Sequence, residues 1–435
     1  MSEASPGRAA VDPAGPAGDI VGPMLNEIRR KIDAGERLAP ADGEWLLTHA
    51  PLSELGPLAN EARLRRHPAR EVTYVLDSNP NYTNVCDVDC VFCAFYRHEG
   101  DEGAYTHPVE AVLEKVAWAA EQGATTVLLQ GGVNPAIPYE YYLDVVRETV
   151  ARFPGVTPHY WSAVEIQRMA EISGKPLLAV LEDLWDAGQR TIPGGGAEIL
   201  SDRVRRKLGR RKGDSAAWLD VHETAHRVGF RTTATMMYGS IETPAERVEH
   251  LDAVRALQDR SHALEGATRA GRPGDFTAFI PWSFKPGNTP LEKVRPVQEG
   301  PAAYLRMIAV SRLYLDNVEH VQASWFSEGK KTGQVALHFG ADDFGGTLFE
   351  ESVHAEAAFV NTTSVAEIRT LIREAGFEPV QRTTLYERLP ETPLDDLAVH
   401  APRRAGGSRE AGRARGAGGT RDAGGLDPAA LPVLD

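Results

Sequence analysis

The chain has 435 residues, of which 42% are hydrophobic and 25% charged, enough apolar material for one large or several smaller cores. Its 47 basic and 61 acidic residues give a net charge of −14, which excludes a general nucleic-acid or acidic-membrane surface. No stretch approaches about 18 uninterrupted apolar residues, and residues 1–20 lack the apolar run of a signal peptide, so we expect a cytoplasmic protein without nucleic-acid or membrane partners.

The N-terminal part of the chain changes from a polar tail to a helical pattern. Residues 1–18 are rich in Ala, Gly and Pro, and residues 401–435 are rich in Gly, Ala and Arg, so both are predicted to be disordered tails. Between residues 19 and 70, apolar side chains such as Met24 and Ile28 recur at helical spacing. This spacing predicts a helical segment packed before the rest of the fold.

From residue 72 onward, predicted strands and helices alternate. The predicted strands lie at residues 72–76, 125–129, 156–161, 230–236, 276–281 and 318–323. The predicted helices lie at residues 109–121, 139–152, within 163–187, and at 218–228, 244–258 and 302–315. This alternation predicts right-handed βαβ units and a parallel sheet. We therefore expect an α/β fold, a (β/α) TIM-type barrel of parallel strands at residues 71–345, with a C-terminal helix and edge strand extension at residues 346–400.

All three cysteines of the chain lie in one short segment, with the spacing Cys86-x3-Cys90-x2-Cys93. Three thiolates from one loop can hold three corners of a [4Fe-4S] cluster, whose fourth iron then has no protein ligand and is open to chemistry. The spacing, with the aromatic Phe92 before the last cysteine, resembles the signature of radical S-adenosylmethionine (SAM) enzymes. Two alternatives stay open, a three-cysteine zinc site completed by His98 or His107, and an incidental group of reduced cysteines.

Ligand sites of parallel barrels lie where the strands end, so polar residues just after strands are candidate ligand contacts. Gln130, Gly131 and Gly132 follow the second predicted strand, and the two glycines allow a ligand to approach the backbone; beside a radical SAM loop they are candidates for the SAM methionine amino group. Ser162 and Glu165 follow the third strand and could bind ribose or amine. Since they are three residues apart, they could equally be a capping box at a helix start.

A third group of strand-end residues provides an acid and small backbone contacts. In the segment Pro193–Leu200, three glycines that include Gly195 and Gly196 precede Glu198, which gives a backbone anion site and one candidate acid or base. His159 ends the third strand and is a candidate member of the same pocket. A flexible turn with a surface glutamate is the alternative interpretation.

Apolar and aromatic residues complete the predicted ring of strand ends. Met237, Tyr238 and Trp282 could enclose a radical intermediate away from water, although methionine and tryptophan are more often plain core residues. His222 and His226 lie four residues apart on a predicted helix, a spacing that can bind metal. Without a nearby third ligand, we do not expect a metal there.

Several of these motifs together resemble the futalosine-pathway radical SAM enzymes of menaquinone biosynthesis, over about residues 20–390. The motifs are Asn84-Val-Cys86, Cys93-Ala-Phe-Tyr-Arg97, Gln130-Gly-Gly, Pro193-Gly-Gly-Gly-Ala-Glu-Ile-Leu200, Ala234-Thr-Met-Met-Tyr-Gly239 and Phe279-Ile-Pro-Trp282. Within that family, Phe279-Ile-Pro-Trp282 followed by Phe284, and the segment Gly340–Gly345, favour the cyclases that act on dehypoxanthine futalosine. The stretch at residues 261–275 departs from the family pattern and is predicted to be a surface loop.

This resemblance implies a mechanism and a set of cofactors. A [4Fe-4S] cluster on the three cysteines and SAM would yield a 5′-deoxyadenosyl radical, after reduction by an external electron donor. The radical would take the ribose C4′ hydrogen of dehypoxanthine futalosine, and the sugar radical would add to the aromatic ring. Glu198, Glu165 and Tyr238 are candidates for the base that takes the final proton.

Three other functions stay open at this point. The family resemblance is shared by aminofutalosine synthase and by the deazaflavin-forming synthase subunit. A non-enzymatic iron–sulfur redox sensor or electron carrier would also hold a cluster. The long alternating core, with several strand-end motifs, is more than such a carrier requires.

Overall fold

The computed structural model describes residues 18–266 and 268–393. The tails predicted at residues 1–18 and 401–435 lie outside the described residues, apart from Gly18, which begins the first helix. Residues 394–400 of the predicted C-terminal extension also lie outside them. Within the described ranges, no helix is both long enough and apolar enough to span a bilayer.

Helices precede, alternate with and follow the strands. Their bounds are α1 (Gly18–Asp33), α2 (Pro40–Thr48), α3 (Leu52–Arg66), α4 (Val109–Glu121), α5 (Tyr139–Arg152), α6 (Ala163–Ser173), α7 (Leu177–Ala187), α8 (Asp202–Leu208), α9 (Ser215–Val228), α10 (Pro244–His262), α11 (Pro301–Tyr314), α12 (Trp325–Glu328), α13 (Lys330–Ala336), α14 (Val353–Glu356) and α15 (Val365–Glu374). The short helices α8, α12, α13 and α14 have no counterpart in the sequence prediction.

The strands are short, and most are buried. Their bounds are β1 (Glu71–Val75), β2 (Asp77–Ser78), β3 (Thr126–Leu129), β4 (Thr157–Tyr160), β5 (Thr191–Ile192), β6 (Arg231–Tyr238), β7 (Phe276–Ser283), β8 (His320–Val321), β9 (Asp343–Gly346) and β10 (Glu378–Gln381). Every strand pairing is parallel. A sheet of parallel strands with helices outside and side chains inside is buried on both faces.

The strands close into a barrel. β1 and β2 are two halves of one strand that is interrupted at Leu76, and they pair with β9 on one side and β3 on the other. β3 pairs with β4, and β5 to β8 form a continuous sheet. A parallel bridge between Gln322 and Asp343 joins β8 to β9 and completes the circle. The predicted α/β fold class and parallel barrel are confirmed; the predicted domain boundaries stay a prediction.

Side chains join the barrel where the ladder between β4 and β5 is missing. The Gln189 amide donates to the carbonyls of Tyr160 and Thr191, at 2.8 and 3.0 Å. His159 Nδ1 lies 2.8 Å from the hydroxyl oxygen of Thr191. These buried hydrogen bonds replace backbone pairing at the joint.

The C-terminal extension closes the end of the barrel at which the strands begin. After α15, β10 pairs with β1, and the following residues turn into the barrel. Arg382 is buried and forms an ion pair with Asp343 at the start of β9. Tyr386 is half-buried and stacks on His320 at the start of β8, with ring centroids 3.7 Å apart. The opposite end, where the strands finish, is therefore the end at which ligands can enter.

The stretch at residues 261–275 begins in α10, and its described residues 263–266 and 268–275 form a loop at the closed end. Arg269 donates its backbone N–H to Val228, and Gly274 donates to His226, so the loop packs on the end of α9. Arg269 also pairs with Glu182 and Asp186 of α7. This placement leaves the open end of the barrel uncovered by the loop.

Candidate active site

The three cysteines lie on the loop that leaves β2 at the open end of the barrel. Cys86 donates its backbone N–H to Arg97 at 3.0 Å, and Cys93 donates to Cys90 at 3.1 Å. Asp89, between the first two cysteines, has a φ of 55°, which turns the chain sharply. The loop thus curves back on itself and brings its thiols toward one small apolar pocket, shared with Val88 and Val133.

A second loop presses against the cysteine loop at Gly132. A Cβ atom on Gly132 would lie 2.1 Å from the carbonyl oxygen of Val85 and 3.0 Å from Cβ of Cys86. Glycine is therefore required here, and Gly132 donates its N–H to Thr83 at 2.8 Å. This packing, which the sequence did not predict, fixes the position of the first cysteine, and the contact of the Gln130-Gly-Gly segment with SAM stays a prediction.

The cysteine pocket fits an iron–sulfur cluster better than a single zinc ion. Tetrahedral zinc bound by sulfur at about 2.3 Å brings thiolates within about 4 Å of each other. Among the described residues, the three cysteines do not form a group whose ligand atoms all lie within 4.8 Å of one another. His98 bonds Asp89 at 2.6 Å on the surface, and His107 stacks on Tyr105. Three soft thiol donors in one apolar pocket match the ligands of a cluster.

Burial and one lysine set the charge state of the thiols. Burial raises the pKa of Cys90 to about 12, and the nearby Lys212 ammonium acts in the opposite direction. Burial also raises the pKa of Cys86 and Cys93. Because coordination to iron deprotonates a thiol outright, the three cysteines are neutral thiols without a metal and thiolates with one.

A cavity of about 210 Å³ runs from the cysteine end into the barrel. Six of the predicted site residues line it, namely Gln130, His159, Gly195, Gly196, Glu198 and Trp282. These residues come from four different strand ends, as expected for a barrel site. The structure therefore brings together residues that are up to 152 positions apart in the sequence.

Glu198 is the acid that faces this cavity. It is 5% exposed, has a φ of 45°, and accepts a hydrogen bond from the buried Lys212 ammonium. Lys212 in turn lies 4.8 Å from the centre of the Phe92 ring, so it connects Glu198 to the cysteine loop. Arg205 holds the glycine segment by donating to the carbonyls of Gly196 and Ala197.

His159 is a neutral hydrogen-bonding group on the cavity wall. Burial lowers the pKa of His159 to about 3, so the imidazole is uncharged at neutral pH. The hydroxyl of Thr191 lies 2.8 Å from Nδ1 and donates to Pro158, so the Nδ1 proton points to Thr191. Nε2 is then left as an acceptor for a ligand.

Glu165 and Ser162 lie beside the cavity, where Glu165 joins neighbouring segments of the chain by hydrogen bonds. The Glu165 carboxylate accepts from the Ser162 N–H and hydroxyl, both at 2.6 Å, from the Tyr82 hydroxyl at 2.7 Å and from the Gly131 N–H at 3.1 Å. Burial raises its pKa, and these hydrogen bonds lower it. The geometry thus favours the helix-start interpretation, and it shows that Glu165 also anchors the glycine segment.

Tyr238 and Met237 do not line the cavity. Alternate residues of β6 face opposite sides, and Thr233 and Thr235 face the cavity. Tyr238 therefore faces the helices, where the Arg247 guanidinium lies 4.9 Å from its ring. The position of Tyr238 gives no support to its predicted role as a catalytic base, which stays a prediction. Met237 is 1% exposed and packs in the core.

The histidine pair on α9 lies in the core and holds no metal group among the described residues. His226 bonds the hydroxyls of Ser261 and Thr232, at 2.6 and 2.8 Å. His222 packs against Trp218, with ring centroids 4.0 Å apart. Burial lowers the pKa of both histidines. Both histidines therefore serve as packing and hydrogen-bonding residues of the core.

Several cavity residues were missed by the sequence reasoning. Asp77 and Asn79 line the cavity from the end of the first strand, and the strand-end rule could have found them. The Asn79 amide oxygen is buried and has no hydrogen-bond partner among the described residues, so it is available to a ligand. Lys212 lies in the basic run at residues 203–212, which looks like a solvated surface. His354 packs against Trp282, at 5.3 Å, from a helix that was not predicted.

Comparison with known families covers most of the chain. Residues 81–254 match the family described as "Radical SAM superfamily", and residues 273–394 match "CofH/MqnC C-terminal region". The second match begins just before β7 and includes Trp282, His354 and Arg382. Both halves of the cavity wall therefore belong to described families.

Three relatives are similar over most of their length. Cyclic dehypoxanthine futalosine synthase of Halalkalibacterium halodurans is 39% identical over 83% of this chain and 94% of its own. Aminodeoxyfutalosine synthase of Thermus thermophilus is 39% identical over 84% of this chain and 96% of its own. The 5-amino-6-(D-ribitylamino)uracil–L-tyrosine 4-hydroxyphenyl transferase of Methanopyrus kandleri is 39% identical over 76% of this chain and 87% of its own.

Two solved structures share the fold. HydG, a maturase of the [FeFe]-hydrogenase, superposes with a TM-score of 0.64 at 16% identity, over 85% of this chain and 79% of its own. Methylornithine synthase (PylB) superposes with a TM-score of 0.61 at 17% identity, over 81% of this chain and 97% of its own. At these sequence identities, the similarity shows only that the barrel fold is shared.

Proposed function

The chain belongs to the radical SAM superfamily, whose enzymes use a [4Fe-4S] cluster and SAM, and we propose that it converts dehypoxanthine futalosine to cyclic dehypoxanthinyl futalosine in menaquinone biosynthesis. The observation that carries the choice of reaction is Trp282 in the cavity wall. Trp282 belongs to the Phe279–Trp282 motif that favours the cyclases, and its ring, edge to face with His354, offers an apolar surface for the aromatic ring of the substrate.

Cys86, Cys90 and Cys93 would hold the cluster at the open end of the barrel. When bound, the cluster and SAM would supply the 5′-deoxyadenosyl radical chemistry that removes the ribose C4′ hydrogen, and the cluster would accept the electron released when the aromatic ring reforms. Phe92 and the Gln130-Gly-Gly segment border this position and are proposed to contact SAM. The barrel below supplies positioning and exclusion of water, the usual contribution of a protein to cofactor chemistry.

The substrate is proposed to lie in the cavity between Trp282 and Glu198. Asn79 and His159 each offer a hydrogen-bond acceptor to it, from two strands of the same sheet that are separated by β3. The glycine segment with Gly195 and Gly196 offers backbone groups without side chains. Since the far end is closed by Arg382 and Tyr386, the substrate has to enter before SAM closes the mouth.

Glu198 is proposed as the base that takes the final proton when the aromatic ring reforms. Of the three candidates from the sequence, Glu165 has its carboxylate occupied by four hydrogen bonds and Tyr238 faces away from the cavity. Glu198 lines the cavity and is held by Lys212. The Lys212 ammonium donates to one carboxylate oxygen of Glu198 and so fixes the position of the carboxyl group on the cavity wall.

An external electron donor is proposed to bind beside Val91, between the second and third cysteines. Val91 donates its N–H to Leu208 and accepts from Leu291, both at 2.9 Å, so two surface segments flank the cluster loop. These segments expose Arg206, Lys207, Arg210 and Lys293, none of which pairs with a carboxylate among the described residues. Because the chain carries a net charge of −14, this basic edge favours an acidic donor protein.

Anaerobic assays with three substrate sets test the proposed reaction. With dehypoxanthine futalosine, SAM and dithionite, we expect 5′-deoxyadenosine and a product two mass units lighter than the substrate. Deuterium placed at ribose C4′ should appear in the 5′-deoxyadenosine. Turnover of an enolpyruvyl benzoate would instead indicate an aminodeoxyfutalosine synthase, and turnover of tyrosine with 5-amino-6-(D-ribitylamino)uracil would indicate the transferase. Either outcome would contradict the cyclase assignment.

A further inference from the structure

A second group of potential metal ligands lies at the closed end of the barrel, opposite to the cysteines. His67 follows α3, Glu319 and His320 begin β8, and Asp342 precedes β9. The ligand atoms of His67, His320 and Asp342 all lie within 4.8 Å of one another. Among the described residues, no other group of three or more His, Cys, Asp or Glu residues has this property.

Two of the three distances between ligand atoms in this group match those expected around a tetrahedral ion. Nitrogen and oxygen ligands at about 2.0–2.2 Å from a tetrahedral ion lie about 3.3–3.6 Å from each other. His67 Nε2 lies 3.3 Å from Asp342 Oδ2 and 3.6 Å from Glu319 Oε1. His320 Nδ1 lies 2.5 Å from Asp342 Oδ2, so this pair has to separate by about 1 Å to admit an ion.

The surroundings hold the ligands in place, as outer-shell groups do in metal sites. The second oxygen of Asp342 accepts from the Arg312 guanidinium and from the Val321 N–H. Arg312 is itself fixed by the carbonyls of Gly340 and Glu319. The free oxygen of Asp342 is thereby directed at the two imidazoles.

Access also suits a cation. The ligand set itself carries two carboxylates, Asp342 and Glu319, and the guanidinium groups of Arg312, Arg63 and Arg66 lie around it. Asp342 is 3% exposed, but the side chains of His67 and His320 are 19% and 16% exposed and that of Glu319 is 55% exposed. An ion can therefore reach the ligands from solvent without unfolding.

We propose that His67, His320 and Asp342, with Glu319 as fourth ligand, bind one zinc-type divalent ion that fastens the N-terminal helices to the barrel. Two imidazoles and two carboxylates are a borderline set that suits zinc better than calcium or magnesium, which prefer oxygen ligands alone. The ion would connect three separate segments of the chain at one point. Its role is structural and independent of the reaction at the cysteine end.

Zinc binding to the cluster-loaded enzyme tests this site. Wild type and His67→Phe, matched in iron content, are dialysed against buffered micromolar zinc, and zinc per chain is measured. Phenylalanine keeps the ring stacked near His320 but removes the ligand nitrogen. We expect one zinc less per chain in the variant, and at least tenfold weaker zinc binding. His49→Phe, at an exposed histidine stacked on Trp45, is the matched control and should bind like wild type.

Two further measurements make the result decisive. Zinc should raise the thermal midpoint of wild type and of His49→Phe but not of His67→Phe. Zinc X-ray absorption of the wild type needs no variant, so it covers the case in which His67→Phe does not fold. It should show nitrogen and oxygen ligands near 2.0 Å, whereas sulfur near 2.3 Å would place the zinc on cysteines and overturn the proposal. Equal zinc in wild type and His67→Phe would overturn it as well.

Discussion

Substituting Gly132 by alanine tests how the cysteine loop is positioned. The new Cβ atom would lie 2.1 Å from the Val85 carbonyl oxygen, whereas side-chain carbons do not approach other atoms closer than 3.0 Å. The two loops therefore have to separate by about 1 Å, and Cys86, whose own Cβ would be 3.0 Å away, moves with them. A shift of about 1 Å at a catalytic centre lowers the rate by about 100-fold.

We expect Gly132→Ala to fold. The overpacking is confined to one loop and lowers the free energy of unfolding by about 1–3 kcal/mol. Iron per chain after anaerobic reconstitution should fall, and 5′-deoxyadenosine formation should fall by about 100-fold. Gly155→Ala is the control, because nothing lies within 4 Å of its added carbon. Full iron content and full turnover in Gly132→Ala would refute the argument that this contact positions Cys86.

Three further substitutions separate the roles of other residues. Tyr238→Phe should keep cyclisation within about twofold of wild type, because the hydroxyl is buried on the outer face without a hydrogen-bond partner among the described residues; a large loss would restore Tyr238 as a base. Glu198→Gln should still transfer deuterium from C4′ to 5′-deoxyadenosine but lower the yield of cyclic product by about 100-fold or more, as measured by mass spectrometry. Lys207→Glu with Arg210→Glu should leave dithionite-driven turnover unchanged and weaken binding of a reduced acidic flavodoxin several-fold at low salt. Equal binding would contradict the proposal that this basic edge binds the electron donor.

The local features of this site could be predicted from the sequence. The cysteine spacing and the glycine pair are short local patterns. The order of residue types alone was therefore enough to predict a cluster site. The alternation of strands and helices likewise fixed the barrel, and the rule that ligands bind at strand ends selected Gln130, His159 and Glu198 correctly as cavity residues.

Features that depend on distant pairing could not be predicted. β9 has the sequence Asp343-Phe-Gly-Gly346, which looks like a turn, and it is a strand because it pairs with β1 about 270 residues earlier. Glu165 is occupied because Tyr82, which is 83 positions away, donates to it. No local pattern in the sequence contains either partner.

The orientation of β6 shows a different limit of sequence reasoning. A half-buried strand alternates polar and apolar residues, which reveals its inner face. Met236, Met237 and Tyr238 are all buried, since β6 has a helix layer on one side and the cavity on the other. An apolar run of this kind carries no alternation, so the face of Tyr238 could be found only from the structure.

Asp77 gives the cavity a pH-dependent stability. Burial raises its pKa to about 6, although the Leu348 N–H and the Arg382 guanidinium act in the opposite direction. Between about pH 4 and pH 6 the folded state therefore holds a proton that the unfolded state has released, so stability falls as pH rises through this window and is level above it. A difference of about two pH units between the folded and unfolded pKa corresponds to about 3 kcal/mol of unfolding free energy.

Asp77→Asn should remove the fall in stability with rising pH. At pH 7.5 it should be more stable than wild type by about 3 kcal/mol in anaerobic urea unfolding, whereas the exposed Asp220→Asn should follow wild type. An unchanged pH profile in Asp77→Asn would show that Asp77 is ionised in the folded cavity, held by the groups around it.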